Sequence, residues 1–254
     1  IHMFDLLGPP DYFSKSFLYK LFTKISLKMA NKNLFISMDQ FRQISSHLSV
    51  NQPVLHLSSL ASHDKFSIKD VLKERAKISC NEKKLNFVTV CWHMRGHYKR
   101  KGVYETLEAL HMYKENGKEN FSWDIIGGTG DGLVDLSNKI NLLGMAEQVH
   151  ILTDVSYENK KDILLRADLY IQPSWHEGFG NAVLEAMGFG VPALVSRYTA
   201  QPEVVGANGL IVMEINAFQI YEKISAFSNL SVSEKQDMVN STLKRVEENF
   251  TLKI

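Results

Sequence analysis

The 254-residue chain is 44% hydrophobic and 22% charged, enough to bury one sizeable core, or one full domain plus part of another. Its 29 basic and 28 acidic residues leave a net charge of +1, which gives no basis for nucleic-acid binding or for an acidic tail. Cys80 and Cys91 have no metal spacing, no apolar run is long enough to cross a bilayer and the amino terminus carries no secretory signal, so a cytoplasmic protein is expected, in solution or peripheral at the inner face of a membrane.

In chain order, Tyr12 to Met29 reads as a helix, with Phe13, Phe17, Leu21, Ile25 and Met29 at steps of four and Lys20, Lys24 and Lys28 beside them. That apolar line either packs inside the preceding domain while the lysines remain solvated, the preferred reading, or rests on an anionic membrane surface. Asn33 to Ser37 reads as a strand, Asp39 to His47 as a short helix and Val54 to Leu57 as another strand. One helix and two short strands make a poor domain alone. Residues 1–60 are therefore read as the end of a preceding domain, and the polar, lysine-bearing residues 61–84 as a linker.

From Leu85 the pattern changes to alternating strands and helices. Strands are expected at Leu85 to Trp92, Trp123 to Gly127, Val149 to Leu152, Leu169 to Gln172, Ala193 to Ser196 and Gly209 to Met213. Helices are expected near Val103 to Tyr113, Val134 to Leu143 (stopped by Gly144) and Tyr157 to Ala167. Strand-helix alternation with short connections predicts a Rossmann-like α/β domain over 85–228, a parallel sheet with helices on both faces, followed by a helical segment over 229–254. Such sheets bind ligands outside the carboxyl ends of their strands, where the motif-bearing loops should gather.

The most informative run is Trp175 to Pro192, WHEGFGNAVLEAMGFGVP. Glu177 sits in the loop after a strand and Glu185 two turns into the following helix, so the two carboxylates suit the two ends of an extended ligand. Gly178 and Gly180 let the backbone approach a ligand closely, and the N–H groups of the helix start suit a phosphate or a sugar oxygen. The plain alternative is a helix with a surface glutamate and a glycine-rich cap. Upstream, Arg95 to Gly102 (RGHYKRKG) is a basic loop after the first strand of the domain, either an anion site or a solvated turn. His93, His97 and His176 lie nearby without metal-ligand spacing, and no metal is expected.

Here the sequence resembles the retaining GT-B glycosyltransferases of family four, the group 1 transferases. Their signature, E-x-F-G-x-x-x-x-E-A-M-x-x-G-x-P, is matched by Glu177, Phe179, Gly180, Glu185, Ala186, Met187, Gly190 and Pro192. The resemblance extends over most of the chain from Leu85, through Leu143 to Leu152 and through Pro202 to Val212. It implies one half of a GT-B fold, the carboxy-terminal nucleotide-sugar-binding domain with a remnant of the acceptor domain. Glu185 would hydrogen-bond the ribose hydroxyls and Glu177 the donor sugar. Gly178, Phe179, Gly180 and Asn181 would line the sugar and phosphates, and Thr153 to Ser156, including Val155, would lie near the nucleobase.

The family's G-R-L-x-x-x-K-G segment implies that Lys101, followed by Gly102, and Arg95 neutralise the donor diphosphate. Arg95 stands one residue further from Lys101 than that pattern expects, so either the loop carries an insertion or Arg100 or Lys99 substitutes. The family's paired glycines before Pro202 are replaced by Thr199-Ala200-Gln201, and Glu203 is as readily a structural cap or ion-pair partner as a ligand contact. The implied activity is hexosyl transfer, with retention, from a UDP-, GDP- or ADP-sugar to a glycan or lipid-linked acceptor, without a metal or other cofactor. This chain alone would transfer poorly, because most of the acceptor domain is absent from it. The alternative is an inactive nucleotide-binding or scaffold module derived from such an enzyme.

Overall fold

Side chains alternate across a strand, so neighbouring strand residues serve opposite faces of a sheet, and this chain builds a separate hydrophobic core on each face. The structure is a computed structural model that describes residues 17–46, 48–50, 53–55, 67–78, 84–198 and 200–251. Its elements begin with α1 (Phe17–Met29), β1 (Asn33–Phe35), α2 (Met38–Ser45), β2 (Pro53–Leu55) and α3 (Ile68–Ile78). Then come β3 (Leu85–Val90), α4 (Arg95–Arg100), α5 (Val103–Glu115), β4 (Phe121–Gly127), α6 (Leu133–Leu142), β5 (Val149–Thr153) and α7 (Tyr157–Arg166). The last are β6 (Leu169–Gln172), α8 (Asn181–Gly188), β7 (Ala193–Ser196), α9 (Gln201–Val205), β8 (Leu210–Val212), α10 (Ala217–Ser228) and α11 (Val232–Phe250).

β3 to β8 form a six-stranded, all-parallel sheet in the order β5-β4-β3-β6-β7-β8. Phe87, Trp123, Ile125, Ile171 and Leu194 face one core, which α5, α6 and α10 cover through residues such as Leu107, Leu136 and Ile224. Val88, Ile126, Tyr170 and Val195 face the other, covered by α7, α8 and α11 through Leu164, Leu184 and Val246. The expected Rossmann-like sheet with helices on both faces is therefore what the chain forms. Gly144 ends α6 in the left-handed conformation expected of it, at φ 63°. Trp123 is fully buried, and its indole N–H donates to Thr89 Oγ1 at 3.0 Å, so the largest core residue leaves no polar group unsatisfied.

The order of the strands fixes where a ligand can sit. The chain steps outward from β3 through β4 to β5, then returns to place β6 on the other side of β3. The connections leaving β3 and β6 go to opposite faces, α5 to one core and α8 to the other. A crevice opens at such a switch point, beyond the carboxyl ends of the two strands.

Ahead of this sheet, β1 and β2 form a parallel pair, with Leu27, Phe35, Ile44 and Leu48 as a small core. Two expectations need correction here. Within the described part of the first helix, the apolar line at steps of four is not the buried face: Phe17 and Met29 are 76% and 78% exposed, while Leu27 is 3% exposed. Steps of four drift around a helix of 3.6 residues per turn, so the line winds away from the contact that Leu27 makes. The expected linker holds the 11-residue helix α3, tied to the sheet domain by Arg75, which donates to the carbonyls of Ala167 at 3.0 Å and Phe189 at 3.2 Å. Tyr12 to Ser16, His47, Cys80 and Thr199 lie outside the described residues.

Glu203 proves to be a cap. Its carboxylate accepts from the N–H groups of Met38 (2.9 Å) and Asp39 (2.6 Å), while the Ser37 side chain accepts from Gln40. These are donors that the first turn of α2 cannot satisfy within the helix.

Candidate functional site

The loops after β3 and β6 meet at the switch point. Gly102 begins α5 at φ 67°, and a Cβ there would lie 2.5 Å from the Pro173 carbonyl oxygen, so the two loops touch backbone to side-chain position. This contact seats Lys101 against the end of β6. Gln172, the last residue of that strand, is fully buried. Its Oε1 accepts from Lys101 Nζ at 3.0 Å and from the Tyr170 hydroxyl at 2.6 Å, and its Nε2 donates to Glu177 Oε1 at 3.1 Å.

Glu177 Oε1 is the focus of the cluster. Lys101 Nζ lies 3.1 Å away, Arg100 Nη1 3.3 Å, and the Ser174 hydroxyl donates to it at 3.3 Å. Arg100 also donates to the His176 carbonyl at 2.9 Å, which fixes the loop that carries Glu177. The side chains of Lys101 and Glu177 are only 10% and 13% exposed, where paired charges are screened less than on an open surface. Burial pushes the Tyr170 phenol well above its usual range and the Cys91 thiol up to about 11, so both remain neutral beside the charges. Cys91 is therefore an inert core thiol.

Histidines surround the cluster. His93 is fully buried, with Nδ1 2.8 Å from the Tyr98 hydroxyl and Nε2 3.1 Å from the Leu152 carbonyl. Burial holds it below the usual imidazole range, and does the same to His97, where Arg100 and Lys101 add repulsion. Among the described residues no group of three or more His, Cys, Asp or Glu side chains is arranged to hold a metal ion.

The other expected site residues divide. Glu185 is not joined to Glu177; it pairs with Lys160 of α7, Nζ to Oε1, at 2.6 Å. Gly180 caps α8 at φ 105°, and Asn181 opens that helix, whose first N–H groups have no intrahelical acceptor. Gly178 lies in the loop between Glu177 and this start. Phe179, expected to line the ligand, has its side chain in the second core, edge-on to Phe250 at 5.9 Å, because the ring is too apolar to stay at the rim. Thr153 ends β5 exposed, and Val155 packs half-buried against the second core. Between them Asp154 takes φ 52°, held by its N–H to Gly127 O (3.0 Å) and by Thr129, whose hydroxyl donates to its carboxylate at 2.8 Å.

Arg95 is not brought to the cluster. Residues 95–100 wind into a short helix, and five positions at about 100° each put residues 95 and 100 well apart around it. Arg95 pairs with Asp135 at 2.5 Å and is 63% exposed, while Arg100 reaches Glu177. Sequence reasoning passed over Gln172, Ser174 and Lys160. For Gln172 a signal existed: a glutamine closing the apolar run Leu169-Tyr-Ile is a polar group that must find partners.

This parallel sheet, with its charged switch point, is a Rossmann-like domain of the GT-B glycosyltransferase kind. The family model described as "Glycosyl transferases group 1" matches residues 74–245, and the chain belongs to that family. Similar curated proteins include a sucrose synthase of Melioribacter roseus, 32% identical over 124 residues (47% of this chain and 15% of that protein). The O-antigen chain mannosyltransferase RfbU of Salmonella typhimurium is 23% identical over 206 residues, 80% of this chain and 54% of that protein. The chain thus spans about half or less of the length of these relatives. Among solved structures, Anabaena Alr3699/HepE in complex with UDP and glucose superposes with a TM-score of 0.70 at 16% identity. That superposition covers 91% of this chain and 62% of the other, and it is a likeness of fold.

Proposed function

We propose that this chain is the donor-binding part of a glycosyltransferase, one that moves a hexosyl group from a nucleoside diphosphate sugar to a glycan or lipid-linked acceptor with retention. The observation that carries the reading is the convergence of Lys101 and Arg100 on Glu177 at the switch point of the sheet. Two adjacent cations at the end of α4 suit a diphosphate, whose negative charge grows as the bond from the sugar C1 to its phosphate oxygen breaks. The new bond forms from the acceptor hydroxyl oxygen to C1, and the hydroxyl proton leaves with the diphosphate or to solvent. Glu177, held between the cations, then accepts from the donor sugar's hydroxyls, and the start of α8 adds backbone donors for the phosphates.

Glu185 takes the ribose hydroxyls, and the turn from Thr153 to Val155 lies at the base. In this reading Arg100 assumes the part that the family resemblance gives to Arg95. The relatives agree in kind: RfbU is a mannosyltransferase, and the HepE complex holds UDP and glucose. Calorimetric titration of the chain with UDP, GDP and ADP tests the reading. One nucleotide should bind, and Glu185→Ala should weaken it at least tenfold, the loss of a hydrogen bond to a charged group. No binding by any of the three overturns the proposal.

A further inference from the structure

Lys160 approaches the site from outside the loops that the family signature describes. α7 crosses from β5 to β6 over the second core and brings the Lys160 ammonium 2.6 Å from Glu185 Oε1. The same ammonium lies 5.7 Å from the centre of the Tyr157 ring. Side-chain exposures of 23% and 25% set the pair apart from an open surface contact such as Lys244 and Glu248, at 70% and 56%. The start of α7 is anchored as well, by the Ser156 side chain, which accepts from Asn159 N–H, and by the Asp154 turn before it.

We infer that Lys160 is a positioning residue for the nucleotide: it fixes the rotamer and balances the charge of Glu185, so that the carboxylate presents an oxygen to a ribose diol. The inference rests on the proposed ribose role of Glu185. One Glu185 oxygen is taken by Lys160, which leaves the other to accept from the sugar, and an ammonium has further donors to share. Ribose recognition is thereby split between two helices, α7 for the cation and α8 for the carboxylate. A ligand without ribose hydroxyls gains nothing from the arrangement.

The test uses the full chain and whichever of UDP, GDP or ADP binds it, together with the 2′-deoxy and 2′,3′-dideoxy forms of that nucleotide. Affinities are measured calorimetrically for the wild type, Lys160→Met, Lys160→Arg, Glu185→Gln and the double variant Lys160→Met/Glu185→Gln, with thermal melts to confirm folding. The wild type should prefer the ribonucleotide, and Glu185→Gln should erase that preference. Lys160→Met should weaken the ribonucleotide about tenfold while leaving the dideoxy form within about twofold, Lys160→Arg should restore the preference, and the double variant should add nothing to Glu185→Gln. If Lys160→Met keeps the wild-type preference while Glu185→Gln erases it, the inference is overturned and the ribose role of Glu185 stands. If Glu185→Gln also keeps the preference, the ribose role falls and the inference with it. Absence of nucleotide binding to the wild type overturns both.

Discussion

Lys101 and Glu177 meet 3.1 Å apart at the ends of β3 and β6, and the neutral amide of Gln172 touches both. The arrangement keeps a buried ammonium and a buried carboxylate satisfied before any ligand arrives, where either one alone would be expensive to desolvate. In the proposed reading a diphosphate then draws on both cations, while Glu177 keeps the Gln172 amide and the Ser174 hydroxyl.

Lys101→Met should therefore act on the phosphates. Affinity for a nucleoside diphosphate should drop by about 1.5–3 kcal/mol, roughly ten- to a hundredfold, with little change for the corresponding nucleoside. Titration with both ligands makes the comparison, and an equal loss for both would assign Lys101 a structural part only.

Gly102 should be intolerant of any side chain. At φ 67° an alanine is strained, and its Cβ would lie 2.5 Å from the Pro173 carbonyl oxygen. Gly102→Ala is expected to destabilise the chain by about 1–3 kcal/mol and to displace Lys101 with it. Urea denaturation reports the first effect and nucleotide titration the second. Gly96, where a Cβ would meet nothing within 4 Å, is the matched control and should tolerate alanine.

The strands from β3 onward are legible in the sequence because each is a short apolar run ending in glycine, proline or a polar turn. The family signature at Glu177 and Glu185 is equally plain. What is not legible depends on contacts between distant segments. α3 reads as a polar connection because none of its residues is buried; it is tied to the sheet domain by polar side chains, Arg75 reaching two backbone carbonyls and Glu74 pairing with Lys161 at 3.1 Å. The choice between Arg95 and Arg100 turns on whether residues 95–100 are loop or helix, which a six-residue stretch containing Gly96 does not declare. Phe179 belongs to the signature, yet its ring serves the core, since a motif records that a residue is needed and not which way it points.

Phe179 accordingly gives a prediction that separates packing from binding. Phe179→Leu should lower stability by about 1–2 kcal/mol, because the ring's edge contact with Phe250 is lost while most apolar volume remains. Below its melting range the variant should bind nucleotide within about twofold of the wild type. A large loss of affinity in the folded variant would return Phe179 to the ligand surface.

Glu203→Gln tests the bridge between α2 and the sheet domain. The neutral amide oxygen can still accept, but it opposes the helix dipole less well than a carboxylate that receives two N–H groups. A stability loss of about 0.5–2 kcal/mol is expected, with faster amide exchange concentrated in α2 rather than in the six-stranded sheet. Uniform exchange throughout the chain would mean that the cap does not hold α2 separately.

His93 contributes to the pH dependence of the fold. With Nε2–H donating to the Leu152 carbonyl and Nδ1 accepting from Tyr98, the neutral ring is satisfied on both sides; a second ring proton would end the bond that Tyr98 donates and put a charge on a buried ring. Burial lowers its folded pKa below the ordinary 6.5, so in the acid range the unfolded chain binds a proton that the folded chain refuses. The stability from this group is complete above 6.5 and is lost as pH falls from there through the folded value, at up to about 1.4 kcal/mol per pH unit. His97, lowered by burial and by Arg100 and Lys101, acts in the same direction. His93→Gln should be less stable at pH 8, by about 1–3 kcal/mol for the lost ring contacts, but its urea midpoint should fall less steeply between pH 7 and pH 5 than that of the wild type. Parallel curves for the two proteins across that range would show that His93 titrates alike in the folded and unfolded states.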